Sequence, residues 1–337
     1  MKTFIYGWLA AGALWTAACA PAAAEVVWKA PIWGPSRSST QPFEWYAKEV
    51  SARSGGQLRI ETSYGQAKQT ESFDAVKTGA VDAAYFCGTS NLDKTLLSTV
   101  LELPMLAPDD LRTLGRVELA LSEHPAIQAN LRTWNVKMLV PSLLPQYQLM
   151  GTKRIARIED FKGARVRISP EMGKVLEEYG AAVSALPVSE IHAAMKGGVV
   201  DVAALPYPYG FHQFRIHEVA RYVTDKISLG TPFCYFGVSN KAWEALPARV
   251  QALMLELRAP AVARYEEIYA REDAQFIATF KERGLEFVPF SVPDRARLLA
   301  KTVKVWQAWV EEREKQGLKG REVLEFTQAK IREFSRR

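Results

Sequence analysis

Short apolar runs alternate with longer amphipathic segments along most of this chain, and glycines punctuate the joins. The run from Val26 to Trp33 reads as a strand ending in the loop Gly34-Pro35-Ser36. Thr40, followed by Pro42, marks a helix over 41–53, with Thr40 as its expected cap and Phe43, Ala47 and Val50 on its apolar face. Gly55-Gly56 stops it, and residues 58–64 alternate as a second strand. A helix over 71–77 ends at Thr78-Gly79 and leads into an apolar strand over 81–87. Further on, the pattern predicts helices over 109–122 and 125–134, a strand over 136–140, and a crossing near 149–151. Helical spacing over 211–219 precedes an apolar strand over 233–238. Residues 241–283 read as helix, with Pro260 expected to kink or break it. A strand over 285–290 and a charge-rich helical pair over 294–337, packed on the outside, complete the chain.

Strands alternating with helices are the grammar of α/β sheets, and this grammar occurs twice. Residues 75–84 (AVKTGAVDAA) and 194–203 (AMKGGVVDVA) share Ala, Lys, Gly, Val, Asp and a final Ala in register. Each copy is a helix end, a glycine stop, an aspartate and a strand, and each follows a strand containing Arg-Ile, at Arg59-Ile60 and Arg167-Ile168. The spacing is too long for a solenoid and points to two similar lobes. Two chain crossings and one long kinked helix make this a hinged clamp. Lobe I is expected over 25–148 plus 236–275, and lobe II over 149–235 plus 276–337.

The first 24 residues change the picture of where the protein works. Met1-Lys2, an apolar run and Ala20-Pro21-Ala22-Ala23-Ala24 form a cleavable export signal. Cys19 after two alanines opens a lipoprotein alternative. Cleavage removes one lysine and no acid, lowering the net charge from +6 to +5. The basic residues are dispersed among acids, which argues against nucleic acid. A mildly positive surface suits an anionic ligand. Cys87 and Cys234 lie far apart in sequence within apolar runs; they are expected as buried free thiols, although an exported protein permits a disulfide.

Candidate chemistry is sparse. No His, Cys or carboxylate cluster has metal-ligand spacing, and no nucleophile elbow, P-loop or dinucleotide fingerprint occurs. No metal or cofactor is expected. Arg167 stands out. Ligands of open α/β sheets sit beyond the carboxyl ends of strands, and Arg167 lies roughly 6.6 Å further along its strand than Arg165. A guanidinium matches a carboxylate with two parallel hydrogen bonds. Spacing alone leaves open a surface arginine or one paired with Glu171. Trp33, Tyr207, Phe233 and neighbouring aromatics either pack the core or wall a cleft.

A set of ordered pieces carries a family resemblance. They are Ala47-Lys48-Glu49-Val50 with Ser54-Gly55-Gly56, Gly65-Gln66, residues 77–82 (KTGAVD), Glu102-Leu103-Pro104, residues 158–163 (IEDFKG) into Arg165-Val166-Arg167, Val200-Asp201 followed by Pro206, and residues 238–241 (VSNK) before Trp243. In this order and spacing the chain resembles the solute-binding proteins of tripartite ATP-independent periplasmic (TRAP) transporters, of the C4-dicarboxylate-binding type. The resemblance covers nearly all of the mature chain. It implies two lobes closing over a small acid, Arg167 as the carboxylate-binding arginine, and delivery to a membrane permease pair in the periplasm, the chain itself acting as a monomer without enzymatic turnover.

Departures from the family pattern shape the expected ligand. Leu205 stands where a polar residue is common, Tyr147 where some members carry a second arginine, Cys87 where an acid is frequent, Cys234 at a polar position, and Ser169 where proline is usual. With Trp33, Tyr207 and Phe233 these residues make the expected site. Such a pocket would leave sugar hydroxyls unpaired, at about 1–3 kcal/mol each. No second cation is evident, so a monocarboxylate with an apolar or aromatic body is expected. The alternatives are a C4-dicarboxylate receptor and a periplasmic enzyme using Cys87 or Cys234.

Overall fold

In the computed structural model, which describes residues 25–88 and 91–336, the elements follow the expected order. The first half contains β1 (Val26–Ile32), α1 (Gln41–Arg53), β2 (Leu58–Tyr64), α2 (Ser72–Thr78), β3 (Ala83–Cys87), α3 (Leu111–Ser122), α4 (Pro125–Arg132) and β4 (Val136–Ser142). After a first crossing come β5 (Tyr147–Gly151), β6 (Arg165–Arg167), α5 (Pro170–Glu177), β7 (Ala182–Ser184), α6 (Ile191–Lys196), β8 (Val202–Pro206), α7 (Tyr209–Gln213) and β9 (Tyr222–Asp225). A return crossing leads to β10 (Cys234–Ser239), α8 (Asn240–Glu244), α9 (Ala248–Glu256), α10 (Arg258–Glu282), β11 (Glu286–Pro289), α11 (Val292–Lys315) and α12 (Gly320–Phe334). The proposed export signal, with Cys19, lies outside the described residues.

This is the two-lobed α/β clamp that the pattern predicts, with mixed rather than purely parallel sheets. One lobe holds the parallel pair β1–β2 and a three-stranded sheet in the order β3-β10-β4. The other holds six strands in the order β11-β9-β5-β8-β6-β7. The strands that follow the two crossings are the antiparallel members: β10 runs against β3 and β4, and β5 against β8 and β9.

The repeat has a structural cause. In the first copy Asp82 donates its N–H to the Lys29 carbonyl and accepts the Lys29 N–H on its carboxylate at 2.8 Å. In the second, Asp201 donates to the Arg165 carbonyl and accepts the Arg165 N–H at 2.9 Å. Each aspartate thus clips a helix end to the neighbouring strand with paired hydrogen bonds. The clip also corrects the alignment of the copies: β6, which carries Arg167, corresponds to β1 rather than to the Arg59-Ile60 strand.

The break expected from Pro260 is present and falls one turn before it, between Glu256 and Arg258: the proline has no N–H to offer the Glu256 carbonyl four residues back, and its ring crowds that carbonyl. The 25 residues of α10 span roughly 38 Å. The helix buries Ala261, Tyr265 and Tyr269 in the first core and Phe280 in the second lobe. Helix α11 also spans both, with Leu298 and Val305 in the second lobe and Trp309 and Val310 in the first. The C-terminal pair is therefore less peripheral than its charge pattern predicts: α12 places Val323 in the first core.

One buried group works against this core. Glu118 of α3 is fully buried, and neither carboxylate oxygen has a hydrogen-bond partner among the described residues. Burial holds its carboxyl well above the ordinary range. A carboxyl kept protonated in the fold, but ionising in the unfolded chain, loses stability as pH rises above about 4.3. Glu118→Met is therefore expected to stabilise the protein by about 1–3 kcal/mol, more at pH 8 than at pH 4. Denaturant titrations at the two pH values measure this; an equal gain at both would place the carboxyl in water.

Candidate functional site

Arg167 ends β6 at the mouth of the second lobe, and its side chain is 6% exposed. Its Nε donates to the Leu186 carbonyl at 2.8 Å and its Nη1 to the Ala204 carbonyl at 3.3 Å. These bonds aim the guanidinium rather than neutralise it. Among the described residues no carboxylate pairs with Arg167. Glu171, the acid the sequence offers as a partner, is taken by Arg313 at 3.2 Å and Lys174 at 2.7 Å. Burial lowers the proton affinity of the Arg167 guanidinium, while the Tyr147 hydroxyl beside it favours the charged form. Burial pushes the Tyr147 phenol up, opposed by the Arg167 charge.

A small inner cavity of about 40 Å³ lies against this guanidinium. Its walls bring together Trp33, Cys87, Tyr147, Arg167, Leu205 and Cys234, six of the nine expected site residues. A wider cleft of about 650 Å³ shares Trp33 and Arg167 with it and is bounded by Leu186, Val188 and Phe214. Both lobes contribute to the inner cavity: Trp33, Tyr85 and Cys87 from one side, Arg167 and Leu205 from the other.

The other three expected residues lie elsewhere. The Ser169 hydroxyl donates to Glu102 across the lobe boundary at 2.5 Å, tying the base of α5 to the first lobe. Phe233 is buried in the first core, edge-on to Tyr235. Tyr207 follows the end of β8 and lines a separate cavity with Asp225 and Asp273.

The free-thiol expectation is wrong. Cys87 and Cys234 sit directly opposite each other on antiparallel β3 and β10 and form a disulfide, with Cα atoms 4.1 Å apart. Cross-strand neighbours are close enough to bridge however far apart they stand in sequence. The disulfide forms part of the cavity wall, and neither sulfur remains a thiol nucleophile.

The sequence reading also missed a cation. Arg37, 3% exposed, lines the inner cavity with Arg167. Its Nη1 donates to the carbonyls of Trp33 and Pro35, each at 2.8 Å. Its guanidinium carbon lies 4.1 Å from the Trp33 ring centroid and 5.3 Å from that of Tyr85. The Tyr85 phenol is pushed up to about 12 by burial, against the opposing pull of the Arg37 charge. Thr40 serves this loop instead of capping α1: its hydroxyl accepts the Arg37 N–H and donates to the Arg37 carbonyl. The available signal was a lone arginine just past the end of a strand, in the loop 34–37.

Among the described residues no group of three His, Cys, Asp or Glu could hold a metal, and no helix is long and apolar enough to cross a membrane. The arrangement can grip an anion and enclose its body between two lobes.

Known proteins share this fold. A solute-binding protein of Albidiferax ferrireducens is 30% identical over 158 residues, a stretch covering 46% of this chain and 44% of that protein. A TRAP solute-binding protein of Rhodoferax ferrireducens, solved with copurified benzoate, superposes with a TM-score of 0.80 at 20% identity, over 92% of this chain and 99% of that one. Another from Desulfovibrio salexigens, with bound orotic acid, gives 0.82 at 19% identity, over 91% and 99%. Residues 30–313 match the model of bacterial extracellular solute-binding proteins, family 7, and this chain therefore belongs to that family, the solute receptors of TRAP transporters.

Proposed function

We propose that this protein captures a small carboxylate with a largely apolar or aromatic body on Arg167, in the periplasm, and delivers it to a TRAP membrane permease. The observation that carries the reading is a buried guanidinium held by two carbonyls at an interlobe cavity, with no carboxylate paired to it among the described residues. An anion entering the cavity supplies the missing charge through two parallel hydrogen bonds. Leu205, Tyr147, Trp33 and the disulfide offer the rest of the ligand mainly apolar surface. Benzoate in the Rhodoferax protein and orotate in the Desulfovibrio protein fit the same description of a flat ring bearing a carboxylate.

A thermal-shift screen tests this. Benzoates and branched or aryl 2-oxo acids are expected to raise the melting temperature, with succinate and glucuronate inert. A ligand at 100 times its Kd adds about 2.7 kcal/mol, which is several degrees for a chain of this size. Shifts from succinate or glucuronate alone would overturn the assignment of ligand class.

A further inference from the structure

Resting on that receptor reading, we infer that the ligand carries a second hydrogen-bond acceptor at the end remote from its carboxylate, recognised by Arg37 and Trp33 of the first lobe. Arg37 Nη2 and Trp33 Nε1 are both buried, and neither has an acceptor among the described residues. Both residues line the inner cavity that Arg167 closes from the other lobe. Two orphaned donors, one of them charged, on residues whose guanidinium and ring are in contact are costly to bury. They are rigidly held: Nη1 is fixed by two carbonyls, the Arg37 backbone by Thr40, and the guanidinium lies over the Trp33 ring. No carboxylate of the chain pairs with Arg37 among the described residues. An acceptor on a ligand in this cavity would supply the partner that these donors lack.

Position in the fold points the same way. The paired hydrogen bonds of Asp82 and Asp201 make β1 the counterpart of β6. Arg37 follows the carboxyl end of β1 as Arg167 ends β6, so each lobe presents a cation at the same edge of its sheet. Tyr147, Leu205 and the disulfide share the lining with them. The cavity thus takes one cation from each lobe and apolar surface from several of its other walls. This fits a ring or branched chain carrying a carboxylate at one end and a hydroxyl, oxo or second carboxylate group at the other. A cavity that needs its donors filled discriminates strongly against an analogue that lacks the acceptor.

Isothermal calorimetry with benzoate, 3-methylbenzoate, 3- and 4-hydroxybenzoate and isophthalate tests the inference. At least one of the last three is expected to bind wild-type protein 10-fold or more tighter than 3-methylbenzoate, which fills similar space without an acceptor. Arg37→Met is expected to reduce that ratio to about threefold or less, and Arg37→Lys to restore part of it. Wild-type protein that binds benzoate or 3-methylbenzoate as tightly as every acceptor-bearing acid overturns the inference while leaving the receptor reading standing. An unchanged ratio in folded Arg37→Met does the same. Binding of no acid at all overturns both. The wild-type comparison decides the matter even where Arg37→Met fails to fold.

Discussion

Arg167→Met is expected to weaken carboxylate binding by about 2–5 kcal/mol, roughly 30-fold to several-thousand-fold, while the protein still folds. Without ligand, Arg167 is a buried cation that donates to the neutral carbonyls of Leu186 and Ala204 and has the Tyr147 phenol beside it. Its desolvation is offset when an anion arrives. Methionine removes the charge and the fork but keeps most of the apolar stem, so the walls of the cavity survive. The carbonyls of Leu186 and Ala204 lose donors, at about 1 kcal/mol each, and the removal of a desolvated charge works in the opposite direction. Stability is therefore expected to change far less than affinity. Arg167→Lys should fall between the two, because an ammonium keeps the attraction without the planar two-point geometry. Calorimetry with the best ligand of the screen, alongside a melting curve, separates affinity from folding. Unchanged affinity in Arg167→Met would remove this residue from the site.

What the sequence revealed about Arg167, and what it concealed about Arg37, has a physical basis. Arg167 ends a short strand that follows the stretch 158–163, one of the ordered pieces carrying the family resemblance, so its place at a strand's carboxyl end could be read from the segment itself. Arg37 belongs to a short loop without periodicity, and its role depends on Tyr85 and Leu205, which arrive from distant segments. The same division explains the other differences. Strand alternation puts Leu205 on the cavity wall, but it stops applying where Pro206 and Pro208 turn the chain, and Tyr207 faces another cavity. Ser169 entered the expected site only as a departure from the family pattern, whereas its hydroxyl is claimed by Glu102 from the opposite lobe. Helix ends, glycine stops and the order of strands are near-neighbour properties. The register between β3 and β10 is set by the whole lobe, and nothing in either segment announces it.

That register carries the second large expectation. Reducing the Cys87–Cys234 bond, or replacing both residues with alanine, is expected to cost about 2–5 kcal/mol of stability. The bond joins residues 147 apart in sequence. In the chain-entropy account a cross-link closing so long a loop removes much of the freedom of the unfolded chain, placing the effect toward the upper part of that range. It also joins β3 to β10, the strand by which the chain re-enters the first lobe after the second crossing. For a protein of this size the loss corresponds to a fall in Tm of roughly 3–8 °C. Melting curves with and without reductant, with thiols counted to confirm complete reduction, measure the effect, and the double alanine variant should no longer respond to reductant. Because the two sulfurs also form part of the wall of the ligand cavity, reduction should weaken binding as well, and saturating ligand should slow it. A fully reduced protein that melts within a degree of the oxidised one would show that β3 and β10 hold together without the bond, leaving the disulfide as no more than part of the cavity surface.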